Sequence, residues 1–266
     1  MIDMNTVVGT HDILMITFDT LRYDVAVREM DNGGTPNLKR WMGAWEKRHT
    51  PGSFTWAAHC AFFAGFLPTP AKPGRHERLF ALRFSGSETT GGKTCAMDTP
   101  DIVSGLAARG YHTACIGGVG FFKKENALSQ VLPGLFQESH WEERMGVTDP
   151  RSTEHQVSQA LVVLRAHPEQ RVFLFLNISA LHQPNRFYLP GTTEDSVDSH
   201  AAALRYVDSC LPPLMEAFRA RGKTFCLFMS DHGTAYGEEG FTGHRLAHEC
   251  VWNVPYAEFI HPAVDA

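Results

Sequence analysis

The sequence predicts an α/β fold in which a mostly parallel central sheet carries helices on both faces. Three observations lead there. Residues 13–18, 172–176 and 224–229 are continuous apolar runs rich in β-branched and aromatic residues, the pattern of strands covered on both faces. Between such runs lie segments whose apolar residues recur at helical spacing, as right-handed βαβ units require. And 266 residues, 43% hydrophobic and 20% charged, suffice to bury a large core, so the chain reads as one domain, 1–266.

The elements follow in order. The first strand, 13–18, stops at Asp19. Thr35-Pro36 supplies a cap and a first-turn proline, with Leu38, Trp41, Met42 and Trp45 at helical spacing behind them. Pro51 to Gly65 reads as a loop feeding a helix that begins near Thr55. Residues 68–97, rich in Gly, Pro, Ser, Thr and Arg, are expected to form a loop insertion. A helix is expected after Thr99-Pro100, ending at Gly110, and a strand over 112–116. Ser152 or Thr153 is expected to cap a helix bearing Val157, Leu161 and Leu164, and the strand over 172–176 follows. Residues 200–221 read as a helix interrupted at Pro212-Pro213 and ended by Gly222. The strand over 224–229 stops at Ser230-Asp231-His232-Gly233.

Composition excludes several classes. No apolar run approaches the roughly 18–20 residues of a membrane span, and no charged n-region with an apolar h-region opens the sequence. The expected setting is therefore cytoplasmic, with no membrane partner. A formal net charge of −5 lacks the basic excess of a nucleic-acid binder. The six cysteines include no C-x-x-C pair, so buried free thiols are expected rather than a disulfide framework. Trp41, Trp45 and Trp56 read as core or rim aromatics, and Lys123-Lys124 as solvated surface.

The chemistry concentrates where strands end. Ligands of an open parallel sheet bind beyond the carboxyl ends of its strands, which brings Asp19 and Asp231 to one edge. His232 adds an imidazole, and Asp, Asp and His form an O,O,N set for one divalent cation. Thr55, at a helix N-terminus, sits in a field that favours an alkoxide and a bound oxyanion, with Ser53 as the alternative hydroxyl. Beside a cation, such a hydroxyl becomes a nucleophile. Arg22 and Asp24 are candidates to support Asp19 from behind.

These residues stand in a wider pattern. Thr17-Phe18-Asp19-Thr20-Leu21-Arg22, Thr35-Pro36-Asn37-Leu38, the segment from Thr55 to Gly65, Leu106 to Ala114, Asn177 to Pro184, Ser230 to Gly233 and Gly243 to Pro255 resemble, in order, the blocks of the alkaline phosphatase superfamily, sulfatase-like branch. The resemblance covers residues 12–260. It implies that Asp19, Asp231 and His232 hold one divalent metal (Zn or Mn, with Mg or Ca as alternatives) and that Thr55 is both a ligand and the nucleophile. It implies that His182 and His244 contact the oxygens of the transferring group, protonate the leaving group or, with His248, hold a second metal. The implied reaction is in-line displacement through a covalent phospho-enzyme, and the implied partner is a small anionic ester.

Departures from the branch shape the expectation. Formylglycine sulfatases carry a cysteine at the nucleophile position and an arginine four residues on; here Thr55 and His59 stand there. Sulfatase chemistry is disfavoured and phosphate or phosphonate ester hydrolysis preferred. Ile178 occupies the place where two-metal members offer an aspartate, which favours one metal. His244 and His248, four apart, would share a helix face and complete a second site if that segment is helical. The alternatives are a transferase delivering the group to an alcohol and a non-catalytic metal-binding scaffold, which a protein partner would complete. Oligomeric state is not legible.

Overall fold

The computed structural model describes residues 2–64 and 101–264. The expected insertion at 68–97 and the expected cap at Thr99-Pro100 lie outside the described residues. In chain order the elements are α1 (Met4–Val7), β1 (Asp12–Phe18), α2 (Tyr23–Asp31), α3 (Pro36–Met42), β2 (Glu46–His49), α4 (Thr55–Ala64), α5 (Ile102–Ala107), β3 (His112–Ile116), α6 (Ala127–Val131), β4 (Glu138–His140), α7 (Ser152–Ala166), β5 (Val172–Ile178), α8 (Val197–Cys210), α9 (Pro212–Arg221), β6 (Thr224–Met229), β7 (Ala235–Tyr236), β8 (Thr242–Gly243), α10 (Glu249–Trp252) and β9 (Asn253–His261).

Seven strands form the central sheet in the order β2-β9-β6-β1-β5-β3-β4. The five from β6 to β4 are parallel, and β9 returns antiparallel to β6. This is the mostly parallel sheet the apolar runs predict. Alternation along β1 divides the core. Leu14, Ile16 and Phe18 join the cluster built with α2, α3, α7, α8 and α9, while Ile13 and Met15 join the one built with α1, α4 and α5. β1 is buried at every position, as a strand covered on both faces must be.

Strands β3 and β6 have the predicted bounds, and the proline pair divides 197–221 into α8 and α9. Trp45 and Trp56 are buried in the core, and Trp41 packs against it. Cys115 and Cys226 are buried free thiols. Three local readings need correction. The cap of α7 is Arg151, with Ser152 and Thr153 already inside the helix. Thr35 precedes α3 without a side-chain capping bond; Asp208 of α8 accepts from the Leu38 amide at 2.8 Å instead, a tertiary cap that no local pattern announces. Residues 244–248 form no helix: Arg245 has φ 69° and α10 starts only at Glu249.

Candidate metal and nucleophile site

Parallel strand order puts the carboxyl ends of β1, β5 and β6 side by side, and the expected residues meet there. Asp19, Asp231 and His232 are fully buried, and one ligand atom from each lies within 4.8 Å of the others. Asp231 Oδ1 accepts from the Thr20 amide at 3.2 Å and the His232 amide at 3.0 Å. Thr20 adopts φ 65°, a costly conformation for a β-branched residue, and that turn aims its amide at Asp231. The Thr50 hydroxyl donates to the Asp231 carbonyl, tying the loop before α4 to the end of β6. Gly233 is needed by its neighbours. A Cβ there would lie 1.8 Å from the Cys250 carbonyl oxygen, because the turn is pressed onto α10.

Thr55 is the first residue of α4, and its hydroxyl donates to Asp19 Oδ2 at 3.4 Å and lies 3.3 Å from His232 Nε2. Ser53 meets the site through its backbone, its carbonyl accepting from the Arg245 amide at 2.9 Å. Thr55 is thus the hydroxyl that geometry brings to the carboxylates.

The donor set suits a cation. Asp19 Oδ1 and Asp231 Oδ2 are buried and have no hydrogen-bond partner, a costly arrangement for two carboxylates. His232 Nδ1 faces the Gly233 carbonyl at 2.9 Å, so that nitrogen carries the proton and the Nε2 lone pair faces inward. Burial and the repulsion of Asp231 push the Asp19 carboxyl above its ordinary range, and burial does the same to Asp231. Two buried carboxylates held together in this way are stabilised by a divalent ion, so the residues present fit one.

Beneath them lies a network the sequence reading missed. Asn177 of β5 donates from Nδ2 to Asp19 Oδ2 at 3.1 Å and to Thr17 Oγ1 at 3.2 Å, and accepts from the Val119 amide at 3.0 Å. Thr17 and Asn177 are register partners across β1 and β5, and this pairing was the signal available. His59, one turn along α4, sits beneath Thr55.

At the rim, the His182 and His244 rings meet edge to face at 5.6 Å, and His244 lies 4.6 Å from the His232 ring. Burial, with His232 and His182 adding to it, pushes His244 down to about 3, so its ring is neutral. His248 stands apart from them: it caps α10 and lies 3.9 Å from Glu239. Among the described residues no ligand cluster of three includes His182, His244 or His248. Ile178 is fully buried in the core. Arg22 does not support Asp19 either; its guanidinium holds Asp24 at 2.7 Å and pairs with Glu238.

The chain matches the model of the sulfatase family over residues 61–257, a span that starts after Thr55. No curated protein matches it. Among solved structures, it is similar to the C-terminal periplasmic domain of the phosphoethanolamine transferase EptC from Campylobacter jejuni, with 15% identity and TM-score 0.60, over 95% of this chain and 80% of that one. It is similar to the lipoteichoic acid synthase LtaP from Listeria monocytogenes, with 13% identity and TM-score 0.63, over 96% of this chain and 66% of that one. The C-terminal periplasmic domain of EptC from Escherichia coli, in complex with Zn, is similar at 11% identity and TM-score 0.63, over 96% of this chain and 74% of that one. Among the described residues no helix is long and apolar enough to cross a membrane.

Proposed function

The chain belongs to the sulfatase family, within the alkaline phosphatase superfamily, and from that premise we propose that it is a metal-dependent enzyme cleaving a phosphate or phosphonate ester by attack of Thr55. The observation that carries this reading is the Thr55 hydroxyl, within 3.4 Å of both Asp19 and His232 and beside two carboxylate oxygens that lack partners. Asp19, Asp231, His232 and Thr55 would hold one divalent ion, with Zn the leading choice and Mn next. When bound, that ion lowers the pKa of the hydroxyl and offsets charge on the transferring oxygens.

The chain's own residues do the rest. Thr55 Oγ1 gives its proton to neutral His244 and forms a bond to phosphorus as the bond to the ester oxygen breaks, and the departing oxygen takes a proton from His182. The N-terminus of α4 favours the negative charge that gathers on the phosphoryl oxygens. Water then attacks phosphorus on the opposite side from Thr55 Oγ1, which leaves and takes its proton back from His244. His182, left neutral by the first step, accepts the proton from that water. His59 and Asn177 keep Thr55 and Asp19 in place throughout.

A second reading assigns transfer of the phospho-group to an alcohol in place of water. The solved structures of similar fold include a domain of a phosphoethanolamine transferase and a lipoteichoic acid synthase, which supports this reading. Turnover of 4-nitrophenyl esters of phosphate and phosphonate by zinc-loaded protein, with and without added ethanolamine or glycerol, separates the readings. Free phosphate or phosphonate as sole product supports hydrolysis, and a new ester of the added alcohol supports transfer. Undiminished turnover by Thr55→Val would overturn both.

A further inference from the structure

A second group of side chains with ligand chemistry lies at the opposite end of the sheet. His112 opens β3 and Glu138 opens β4, both at the amino ends of parallel strands, whereas Asp19 and Asp231 follow carboxyl ends. Glu138 is the register partner of Ala114, so alternation puts His112 and Glu138 on one face of the sheet. That face is covered by α7, whose C-terminal cap is His167.

The three side chains converge. His112 Nε2 lies 3.4 Å, and His167 Nε2 3.8 Å, from the same oxygen, Glu138 Oε2. One ligand atom from each of the three lies within 4.8 Å of the others. In a tetrahedral zinc site with bonds of about 2.0–2.1 Å, neighbouring ligand atoms stand roughly 3.3–3.4 Å apart. His112 Nε2 is buried and makes no hydrogen bond, its contact with Glu138 Oε2 being the 3.4 Å approach of an ion pair.

The surroundings are built to hold this arrangement. The other Glu138 oxygen lies 3.3 Å from His140 Nε2, and His140 Nδ1 lies 3.2 Å from Gln159 Nε2 on α7, so the carboxylate is braced from behind. Arg221 Nη1 donates to the carbonyls of Leu164 at 3.1 Å and His167 at 2.8 Å, fixing the helix end that carries the second imidazole. The His112 amide is anchored to the Arg171 carbonyl at 2.7 Å.

We infer that His112, Glu138 and His167 form a second cation site, selective for Zn²⁺ and similar transition ions, which ties edge strand β4 to β3 and to the end of α7. Two imidazoles and one carboxylate select Zn²⁺, Co²⁺ or Ni²⁺ over Mg²⁺ and Ca²⁺, whose preference is for oxygen. The His112 and His167 rings are stacked with centroids 3.6 Å apart, which holds the two imidazoles side by side. The inference is independent of the proposed reaction, since it shares no residue with the Asp19 site.

The test uses the full chain carrying Asp19→Asn with Asp231→Asn, which removes the central ligands. Zinc titration against a chromophoric chelator should give one equivalent, with no competition from millimolar magnesium or calcium. Cobalt(II) should give the intense visible bands of a low-coordinate site. Adding His167→Ala, or separately Glu138→Gln, should weaken zinc about 100-fold or more and bleach the cobalt bands; thermal melting of each zinc-free variant checks that it folds. Either no zinc equivalent in the Asp19, Asp231 double variant, or binding that survives both further substitutions, would overturn the site.

Discussion

His59 donates its Nδ1 proton to the Thr55 carbonyl at 2.7 Å, one helical turn back, while its Nε2 faces the Thr17 hydroxyl at 3.1 Å. The carbonyl can only accept, which fixes the proton on Nδ1 and makes Thr17 the donor to Nε2. Burial pushes His59 down to about 3, so it serves as a neutral strut where the formylglycine branch carries a charged arginine. It is also ringed by Phe62, Phe63, Phe122 and Phe175. His59→Ala is expected to cost about 3 kcal/mol of stability and to lower kcat more than it raises KM, because the hydroxyl loses its alignment. Urea denaturation beside steady-state kinetics checks both.

Asn177 acts on the cation through Asp19. Removing its amide with Asn177→Ala frees Asp19 Oδ2 to rotate and is expected to weaken zinc at the central site about 10–100-fold. A competition titration in a chain carrying Glu138→Gln, which isolates the central site, reads the change. Unchanged affinity would mean that Asn177 does not hold Asp19 for the cation.

Gly233 tests the turn that presents His232. A methyl group there meets the Cys250 carbonyl oxygen, and backbone cannot swing aside as a side chain does. Gly233→Ala is expected to cost about 3 kcal/mol or more and to abolish high-affinity zinc binding. Thermal denaturation with and without zinc, in chains that also carry Glu138→Gln, shows it: the chain with Gly233 gains Tm on loading and the Gly233→Ala variant does not.

His200 gives a pH signature away from the metal ligands. Its Nε2 accepts from the Arg22 amide at 3.4 Å, its Nδ1 faces the Leu181 carbonyl and the Tyr236 hydroxyl, and burial, with Arg22 adding to it, lowers it to about 3. Protonation would set two donors against each other. Because the folded pKa is depressed, the stability is present above the unfolded value near 6.5 and is lost as pH falls toward the folded value. His200→Gln is expected to flatten that loss by about 1.4 kcal/mol per pH unit well below 6.5. Denaturation midpoints of both chains from pH 7.5 to 4.5 give the difference in slope.

Asp19, Asp231 and His232 were legible because apolar strands stop at them and a parallel sheet gathers its strand ends. Thr55 was legible as the start of a helix. Asn177 and His59 were not, because each lies inside an apolar element and its polar contact depends on a partner distant in sequence. The antiparallel β9 is not legible either, since its irregular mix of buried and half-exposed positions carries a weaker signal than the continuous runs beside it. His248 was paired with His244 on the assumption of a helix, and the left-handed turn at Arg245 breaks that geometry.

The covalent step proposed at Thr55 is open to direct measurement. Zinc-loaded protein is mixed with a 4-nitrophenyl ester that it turns over, quenched in acid within the first turnovers and digested, and the peptide containing Thr55 is sequenced by mass spectrometry. The account predicts a phosphoryl or phosphonyl group on the Thr55 hydroxyl, and neither adduct nor turnover in Thr55→Val. Turnover that persists in Thr55→Val, or an adduct on another residue, would contradict it.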